Sequence, residues 1–120
     1  MQSNKEKNLI VDLSFDFALK TIAYTELLEE KKRFVLATQL LKAGTSIGAN
    51  IREAQNAESK EDFIHKMKIA AKEADETEYW LQLCKHSKGY PKEEHLLQDC
   101  LAIIKVLSKI ISSSKSKVIS

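Results

Sequence analysis

Acidic and histidine side chains at short spacings are the residues of this sequence that could do chemistry. A di-metal carboxylate site in a helical bundle needs Glu residues from two helices and Glu-x-x-His pairs from two others. The sequence has one related motif with the shorter acid, Asp62-Phe-Ile-His65, and one acidic run before a histidine, Glu93-Glu94-His95. Carboxylates on helix surfaces and at helix starts usually face solvent or the helix dipole. We therefore predict no metal site and no cofactor.

Hydroxyl and amide side chains are present, but not in a catalytic pattern. Thr45, Ser46 and Asn50 lie in a strongly helical stretch that contains no histidine. In such places these groups usually bond to backbone carbonyls. The spacing Gly44-x-x-x-Gly48 falls in the same stretch and predicts close packing between helices rather than a phosphate loop. The sequence thus predicts a protein that is not an enzyme.

Length and composition favour one soluble all-α domain. The chain has 120 residues, of which 43% are apolar and 30% charged, and this length supports a single core. Three glycines and one proline are too few for the turns of a many-stranded fold. The net charge of +2 is too small to indicate a nucleic-acid-binding protein by itself.

Cysteine usage and the N-terminus bear on localisation. Cys84 and Cys100 stand in helical patterns without a CxxC partner, which predicts buried, reduced thiols. No apolar run is long enough to span a bilayer. Asp12 and Asp16 interrupt the apolar residues near the N-terminus, so we do not expect a signal peptide. We predict a cytoplasmic protein without a membrane partner.

Apolar spacing predicts four helices in one domain that spans residues 1–120. The predicted helices cover about 9–28, 33–57, 60–88 and 92–113. Asn8 and Ser59 are suitable N-caps, and Gly89-Tyr90-Pro91 should end the third helix and start the fourth. The final polar residues should fray. Connections this short favour an antiparallel up-and-down four-helix bundle, in which small residues bring helices two and three close together.

The first helix carries two apolar stripes, and packing of the core requires only one of them. The stripe for the core contains Ile10, Leu13, Phe17, Tyr24 and Leu28. A second stripe lies more than a quarter-turn away, and two apolar residues of the third helix lie off its own core stripe. These surplus residues predict a subunit interface of a homo-oligomer: Val11, Phe15, Ala18, Ile22, Ile69 and Trp80. A wide core contact is the alternative.

Basic residues are the remaining lead to function. Five of them predict a nucleic-acid-binding surface: Arg52, Lys60, Lys66, Lys68 and Lys72. The first connection adds Lys31, Lys32 and Arg33, and the C-terminal tail adds Lys115 and Lys117. Acids interleave at i,i+4 spacing, as in Asp62–Lys66 and Lys72–Glu76, so a solvated face of mixed charge is the alternative. An oligomer would repeat these basic residues and so add their phosphate contacts.

Four segments resemble the four helix bundle protein family, also called the 23S rRNA intervening-sequence proteins. They are Ser46–Ala54, Ser59–Lys66, Glu76–Leu81 and Gly89-Tyr90. The resemblance covers nearly the whole chain. It departs from the family at Gly48, where many members have Pro, and at Ala54, where many have Gly. Ala54 predicts that the second helix continues further here.

The resemblance implies a fold and an assembly, and it implies no catalytic residue. Members are four-helix bundles that assemble as ring-shaped homopentamers. They are named for reading frames inside insertions of large-subunit rRNA genes, and many are labelled ribosomal proteins for that reason. A related group serves diversity-generating retroelements and binds nucleic acid and a reverse transcriptase. We therefore expect a homo-oligomer that binds rRNA or other nucleic acid, with a protein-interaction scaffold or accessory factor as the alternative.

Overall fold

Four α-helices make up the protein in this computed structural model, which describes the backbone of residues 2–119 and the side chains of residues 9–116. The helices are α1 (Gln2–Glu30), α2 (Phe34–Ala54), α3 (Lys60–His86) and α4 (Glu94–Ile119). Over residues 2–119 there is no β-strand. Consecutive helices contact each other and α1 also contacts α4, so the four helices surround one core. The prediction of an all-α fold with four helices is confirmed.

The core is built from stripes of apolar residues that recur every three or four positions, as the helical period requires. Ile10, Phe17, Tyr24 and Leu28 of α1 are buried as predicted, and Leu13 of the same stripe is half-buried against the core. The same spacing predicts a core stripe in each of the other three helices, and these residues are buried as well: Ala37, Leu40, Gly44, Ile47, Ile51 and Ala54 in α2, Phe63, Met67, Ala70, Ala74, Thr77, Leu81 and Cys84 in α3, and Leu96, Cys100, Ile103, Leu107 and Ile110 in α4. Burial of these stripes, at roughly 25 cal/mol per Å² of apolar surface, is the main stabilising contribution to the fold.

Several predicted helix ends are wrong. The first helix begins at Gln2, so Asn8 lies inside it rather than at its N-cap. The second ends at Ala54 instead of continuing, because the amides of the next three residues bond to carbonyls only three positions back. The fourth begins at Glu94, which leaves Pro91 in the preceding loop, and it remains helical to Ile119, where fraying was expected.

Of the two predicted signals around α3, the N-cap is confirmed, whereas the helix ends at His86, three residues before Gly89. Ser59 caps this helix, because its hydroxyl oxygen accepts a hydrogen bond of 3.0 Å from the backbone N–H of Asp62. The Asp62 carboxylate in turn accepts from the backbone N–H of Glu58 at 3.3 Å. Gly89 follows α3 with a φ of +79°, the left-handed conformation in which glycine avoids a steric cost.

The turn between α1 and α2 uses a lysine where glycine is usual. Lys32 has a φ of +61°. Its N–H bonds to the carbonyl of Glu29 at 2.8 Å, and the N–H of Arg33 bonds to the carbonyl of Leu28 at 2.8 Å. This pair of bonds is the Schellman arrangement that ends many helices. The chain therefore reverses sharply here and places a cationic side chain at the apex.

The close packing predicted at the two glycines of α2 is directed at α1. A Cβ on Gly44 would lie 2.8 Å from Cγ2 of Thr21, and one on Gly48 would lie 3.4 Å from the backbone oxygen of Ser14. Ser14 and Thr21 are buried, and their hydroxyls donate to carbonyls of their own helix. Small and hydroxylated residues thus let α1 and α2 approach closely.

The turn between α1 and α2 and the loop between α3 and α4 lie at the same end of the molecule and contact each other. We call this region the joined end. The Arg33 guanidinium lies 4.7 Å from the centre of the Tyr90 ring and donates to the Gly89 carbonyl at 3.5 Å. The Tyr24 hydroxyl donates to the carbonyl of Pro91 at 2.6 Å, and burial raises the pKa of this phenol. These contacts fix the two loops of this end relative to α1.

A lysine closes α3 at the joined end. The Lys92 ammonium donates to the carbonyls of Cys84, Lys85 and Ser87 at 3.1, 2.8 and 2.7 Å. Carbonyls at a helix C-terminus lack intrahelical partners and carry partial negative charge, which a cation stabilises. This contact holds the loop before α4 against the end of α3.

Candidate interaction surfaces

An open groove of mostly apolar lining runs between α1 and α2. It has a volume of about 290 Å³ and is lined by Val11, Ser14, Phe15, Ala18, Thr45, Gly48, Ala49 and Arg52. The groove forms because Ser14, Thr45 and Gly48 are too small to fill the space between the helices. We call it the α1–α2 groove.

Apolar side chains beside this groove remain exposed. Phe15 is 53% exposed and Ile22 is 42% exposed, while Val11 and Ala18 are half-buried. Two exposed leucines from the same pair of helices, Leu19 at 52% and Leu41 at 38%, were not in the predicted interface. Leu19 could have been found, because it lies one helical turn after Phe15. An isolated exposed leucine is ordinary, but a set on two neighbouring helices is the kind of patch that marks an interaction site.

The two interface residues predicted on α3 are in a different environment. Ile69 is half-buried. Trp80 is half-buried and packs against the core, and its ring meets that of Tyr79 edge to face at 5.3 Å. Its indole N–H is shielded from solvent without a hydrogen-bond partner. Trp80 therefore already contributes to the core of the single chain.

The five predicted basic residues do not share one face. Arg52 lines the α1–α2 groove beside the predicted interface residues. The Lys66 ammonium lies 3.4 Å from the Glu53 carboxylate of α2, rather than beside Asp62. Lys68 and Lys72 are exposed. Lys66 and Lys68 are two positions apart in the helix, which corresponds to a rotation of about 200°, so the side chains of Lys66 and Lys68 leave α3 in nearly opposite directions.

Lys68 instead meets a cation of α4. A side-chain hydrogen bond with Lys115, together with the repulsion between the two like charges, lowers the pKa of Lys68. Lys115 therefore belongs to the same small basic patch as Lys68. Lys60, also exposed, precedes them at the start of α3. The side chain of Lys117 lies outside the described residues.

Acidic residues around the two histidine motifs are engaged in helix capping. Asp62 takes part in the cap of α3 described above, and the Glu93 carboxylate accepts a hydrogen bond of 2.9 Å from the backbone N–H of His95 at the start of α4. Among the described residues, no group of three or more His, Cys, Asp or Glu side chains could hold a metal ion. Asp62 and Glu93 thus accept backbone hydrogen bonds near the starts of α3 and α4.

Both cysteines are buried and free, as predicted. Burial raises the pKa of Cys84, and it raises the pKa of Cys100 to about 12. The Cys100 thiol also lies 3.5 Å from the carbonyl of Ala74, to which it donates. Because thiolate is the reactive form of cysteine, these thiols are poor nucleophiles.

None of the helices in the described part of the chain is long and apolar enough to cross a membrane.

The fold and the surfaces together define the class: an all-α protein of four helices with an exposed apolar groove between the first two. The chain belongs to the 23S rRNA-intervening sequence protein family, whose model matches residues 6–113. It is similar to a crystal structure of a protein of unknown function from the S23 ribosomal protein family of Bacteroides thetaiotaomicron. That similarity has a TM-score of 0.83 and 45% sequence identity, and covers 89% of this chain and 98% of the other. No curated relative matches the chain.

Proposed function

We propose that this protein is a homo-oligomeric, non-catalytic binding scaffold whose ligand is nucleic acid. In this proposal the four helices run in up-and-down order as a bundle, and the copies join through the α1–α2 groove and its exposed apolar rim. The observation that carries the proposal is the rim itself, because Phe15, Leu19 and Ile22 are each about half exposed in the single chain.

Burial of the rim supplies the driving force for association. A side chain of this size contributes roughly 1.5–3 kcal/mol when fully buried, so the exposed half contributes about 1 kcal/mol. Several such side chains in each copy, with the groove beside them to receive a partner's side chain, favour self-association. Arg52 at the groove adds a cation that an acidic residue of a neighbouring copy could pair with.

Membership in the family supports a ring of five copies, as the resemblance implies. A ring requires two different surfaces on each copy, because each copy contacts its neighbours head to tail. The α1–α2 groove would be one of these surfaces, and Ile69 and Trp80 would belong to the other. Repetition of Lys60, Lys68, Lys72 and Lys115 around a ring would multiply a basic patch that is weak in one chain.

The exposed lysines support nucleic acid as the ligand, and RNA is the form to test first because the family is named after sequences that interrupt 23S rRNA genes. We propose a cytoplasmic location, consistent with the two buried, free cysteines. A second candidate function is a scaffold for another polypeptide. It is favoured by the same groove, which could receive one apolar helix face of a partner such as a reverse transcriptase.

Oligomerisation is tested by light scattering of the chain and of two matched variants. A pentamer of the 13.6 kDa chain has a mass of about 68 kDa. Phe15→Glu places a charge on the rim and should yield monomers. Leu101→Glu changes a side chain on α4 that is 43% exposed, and it should leave the mass unchanged. A wild-type monomer at micromolar concentration, or a Phe15→Glu protein of unchanged mass, would contradict the proposed assembly.

Nucleic-acid binding is tested separately by co-purification and by the absorbance ratio at the nucleic-acid and protein maxima. The variant Arg52→Glu/Lys60→Glu/Lys66→Glu/Lys68→Glu/Lys72→Glu reverses all five predicted basic residues. If the five residues carry binding, this variant should retain far less RNA than wild type. Because Arg52 also lines the α1–α2 groove, Lys60→Glu/Lys68→Glu/Lys72→Glu is measured beside the five-residue variant, and equal RNA retention by either variant with an intact oligomer would remove its residues from the binding surface.

A further inference from the structure

The turn between α1 and α2 exposes two apolar side chains directly beside two lysines. Phe34 is 57% exposed and Val35 is 76% exposed, although both begin a helix whose other apolar residues are mostly buried. Lys31 and Lys32 immediately before them are exposed. We call Lys31, Lys32, Phe34 and Val35 the turn surface.

The backbone holds this surface in a defined geometry. Arg33, in the middle of the segment, turns inward and is anchored on Tyr90 and the Gly89 carbonyl, while its neighbours on both sides point outward. Lys32 occupies a left-handed conformation that costs a non-glycine residue roughly 1 kcal/mol. Strained residues that the surrounding structure holds in place are enriched at functional sites. The turn is therefore a preformed surface.

The chemistry of the turn surface matches a nucleotide of a single strand. A single-stranded nucleic acid presents an unstacked base beside a phosphate, and proteins bind it with aromatic rings and neighbouring cations. Phe34 supplies the ring, and the two lysines supply the cations within three residues of it. The first turn of α2 contains no acidic side chain and Arg33 provides no side-chain cap, so no carboxylate of this helix start competes for the lysines.

A protein partner fits the turn surface less well. Phe34 and Val35 together can bury only a few hundred Å², since a large aromatic side chain buries roughly 150–250 Å². A stable protein interface buries about 800 Å² on each partner. Glu29 and Glu30, exposed just before the turn, reduce its net positive charge, so binding needs the Phe34 ring as well as the two lysines. One stacked base beside one or two phosphates is the ligand of matching size.

We propose that the turn surface binds single-stranded nucleic acid, with a base stacked on Phe34 and the adjacent phosphates on Lys31 and Lys32. This inference rests on the proposed nucleic-acid function and assigns it a site away from Arg52, Lys60, Lys66, Lys68 and Lys72. The carrying observation is the juxtaposition of an exposed aromatic ring and two exposed cations on a rigid turn.

The test measures fluorescence anisotropy of an end-labelled single-stranded RNA of about 20 nucleotides with the full chain and matched variants. Lys31→Glu/Lys32→Glu should weaken binding about tenfold or more and lower the salt dependence of the affinity. Phe34→Leu should weaken it at least about fivefold, and Phe34→Trp should retain it, because stacking requires a ring. Glu29→Gln/Glu30→Gln should tighten binding.

Two controls of the same kind separate this site from the earlier one. Lys68→Glu/Lys72→Glu reverses two exposed lysines of α3, and Tyr79→Leu removes an aromatic ring that is 58% exposed. If these controls weaken binding while the turn variants do not, the turn proposal is wrong and the proposed nucleic-acid function stands. If wild type binds no RNA, both fail. A polyglutamate peptide is measured in the same way. If it binds as tightly as the RNA, and Phe34→Leu does not change its affinity, the turn attracts acidic chains in general and the turn proposal is wrong.

Discussion

The two glycines of α2 should respond in opposite directions to the same substitution. An alanine in a helix interior is about 1 kcal/mol more favourable than glycine, so both Gly44→Ala and Gly48→Ala gain the same local term. The surroundings differ. The new methyl at Gly48 would lie 3.4 Å from its nearest neighbour, an ordinary contact, whereas that at Gly44 would lie 2.8 Å from the Thr21 methyl.

The overlap at Gly44 has no easy relief. Two carbon atoms prefer a separation of about 3.5–4.0 Å. Thr21 is fully buried, branched at Cβ, and its hydroxyl donates to the Phe17 carbonyl at 2.8 Å, so rotation of the side chain would break this bond. Overpacking of this kind costs about 1–3 kcal/mol. Gly44→Ala should therefore be neutral to about 2 kcal/mol destabilising, and Gly48→Ala should stabilise by up to about 1 kcal/mol.

Urea and thermal unfolding measure this contrast. For a chain of this size 1 kcal/mol corresponds to about 4 °C in Tm, so the two variants should differ by roughly 4–12 °C. Because Gly48 also lines the α1–α2 groove, both variants are compared at equal concentration after their masses are measured. Thr21→Ala removes the opposing methyl and should abolish most of the penalty of Gly44→Ala. Equal stability of the two alanine variants, or a gap that Thr21→Ala leaves unchanged, would refute this account of the α1–α2 contact.

Three further predictions concern single side chains. Lys32→Gly should stabilise the protein by about 0.5–1 kcal/mol in urea unfolding, because glycine adopts a φ of +61° without strain; a loss of stability would show that the lysine side chain makes a stabilising contact. Lys92→Met should destabilise by about 1 kcal/mol, since it keeps the aliphatic stem but loses three hydrogen bonds to α3 carbonyls; wild-type stability would mean that water replaces the ammonium. The raised pKa of Cys100 keeps its thiol neutral in the folded state to about pH 12, whereas the unfolded thiol ionises near pH 8.5–9, so its contribution is complete below pH 8.5 and is lost between these values. Unfolding from pH 8 to 11 should therefore show a shallower loss of stability for Cys100→Ala than for wild type, and identical slopes would contradict the burial of this thiol.

Helical periodicity was sufficient to predict the core. Residues such as Leu40, Met67 and Ile103 were assigned from spacing alone, and all three are almost fully buried. The class of fold follows from the same pattern, because an apolar stripe with a period near 3.6 can be buried only against other helices. Local signals also succeeded where one residue determines the geometry, as at Ser59 and Gly89.

Predictions failed where tertiary geometry decides. The sequence does not state which neighbouring helix a glycine faces, so close packing at Gly44 and Gly48 was predicted without identifying α1 as the partner. Charge alone does not indicate the direction in which a side chain points either. Lys66 and Lys68 were therefore placed in one predicted nucleic-acid-binding surface, although they leave α3 on nearly opposite sides. The turn at Lys32 carried no glycine signal, so its positive φ could not be predicted.

The side-chain contacts at the joined end should make this end of the molecule more resistant to local unfolding than the opposite end. Arg33, Tyr24 and Lys92 tie both loops there to the helices, whereas the α2–α3 connection at residues 55–59 is held mainly by its own backbone bonds and the Ser59 cap. Local opening proceeds through the least constrained contacts first. Backbone amides near the joined end should thus exchange with deuterium later than those beside the α2–α3 connection. A partner that binds the joined end would contact a rigid surface. A partner that binds the opposite end would contact helices that can separate.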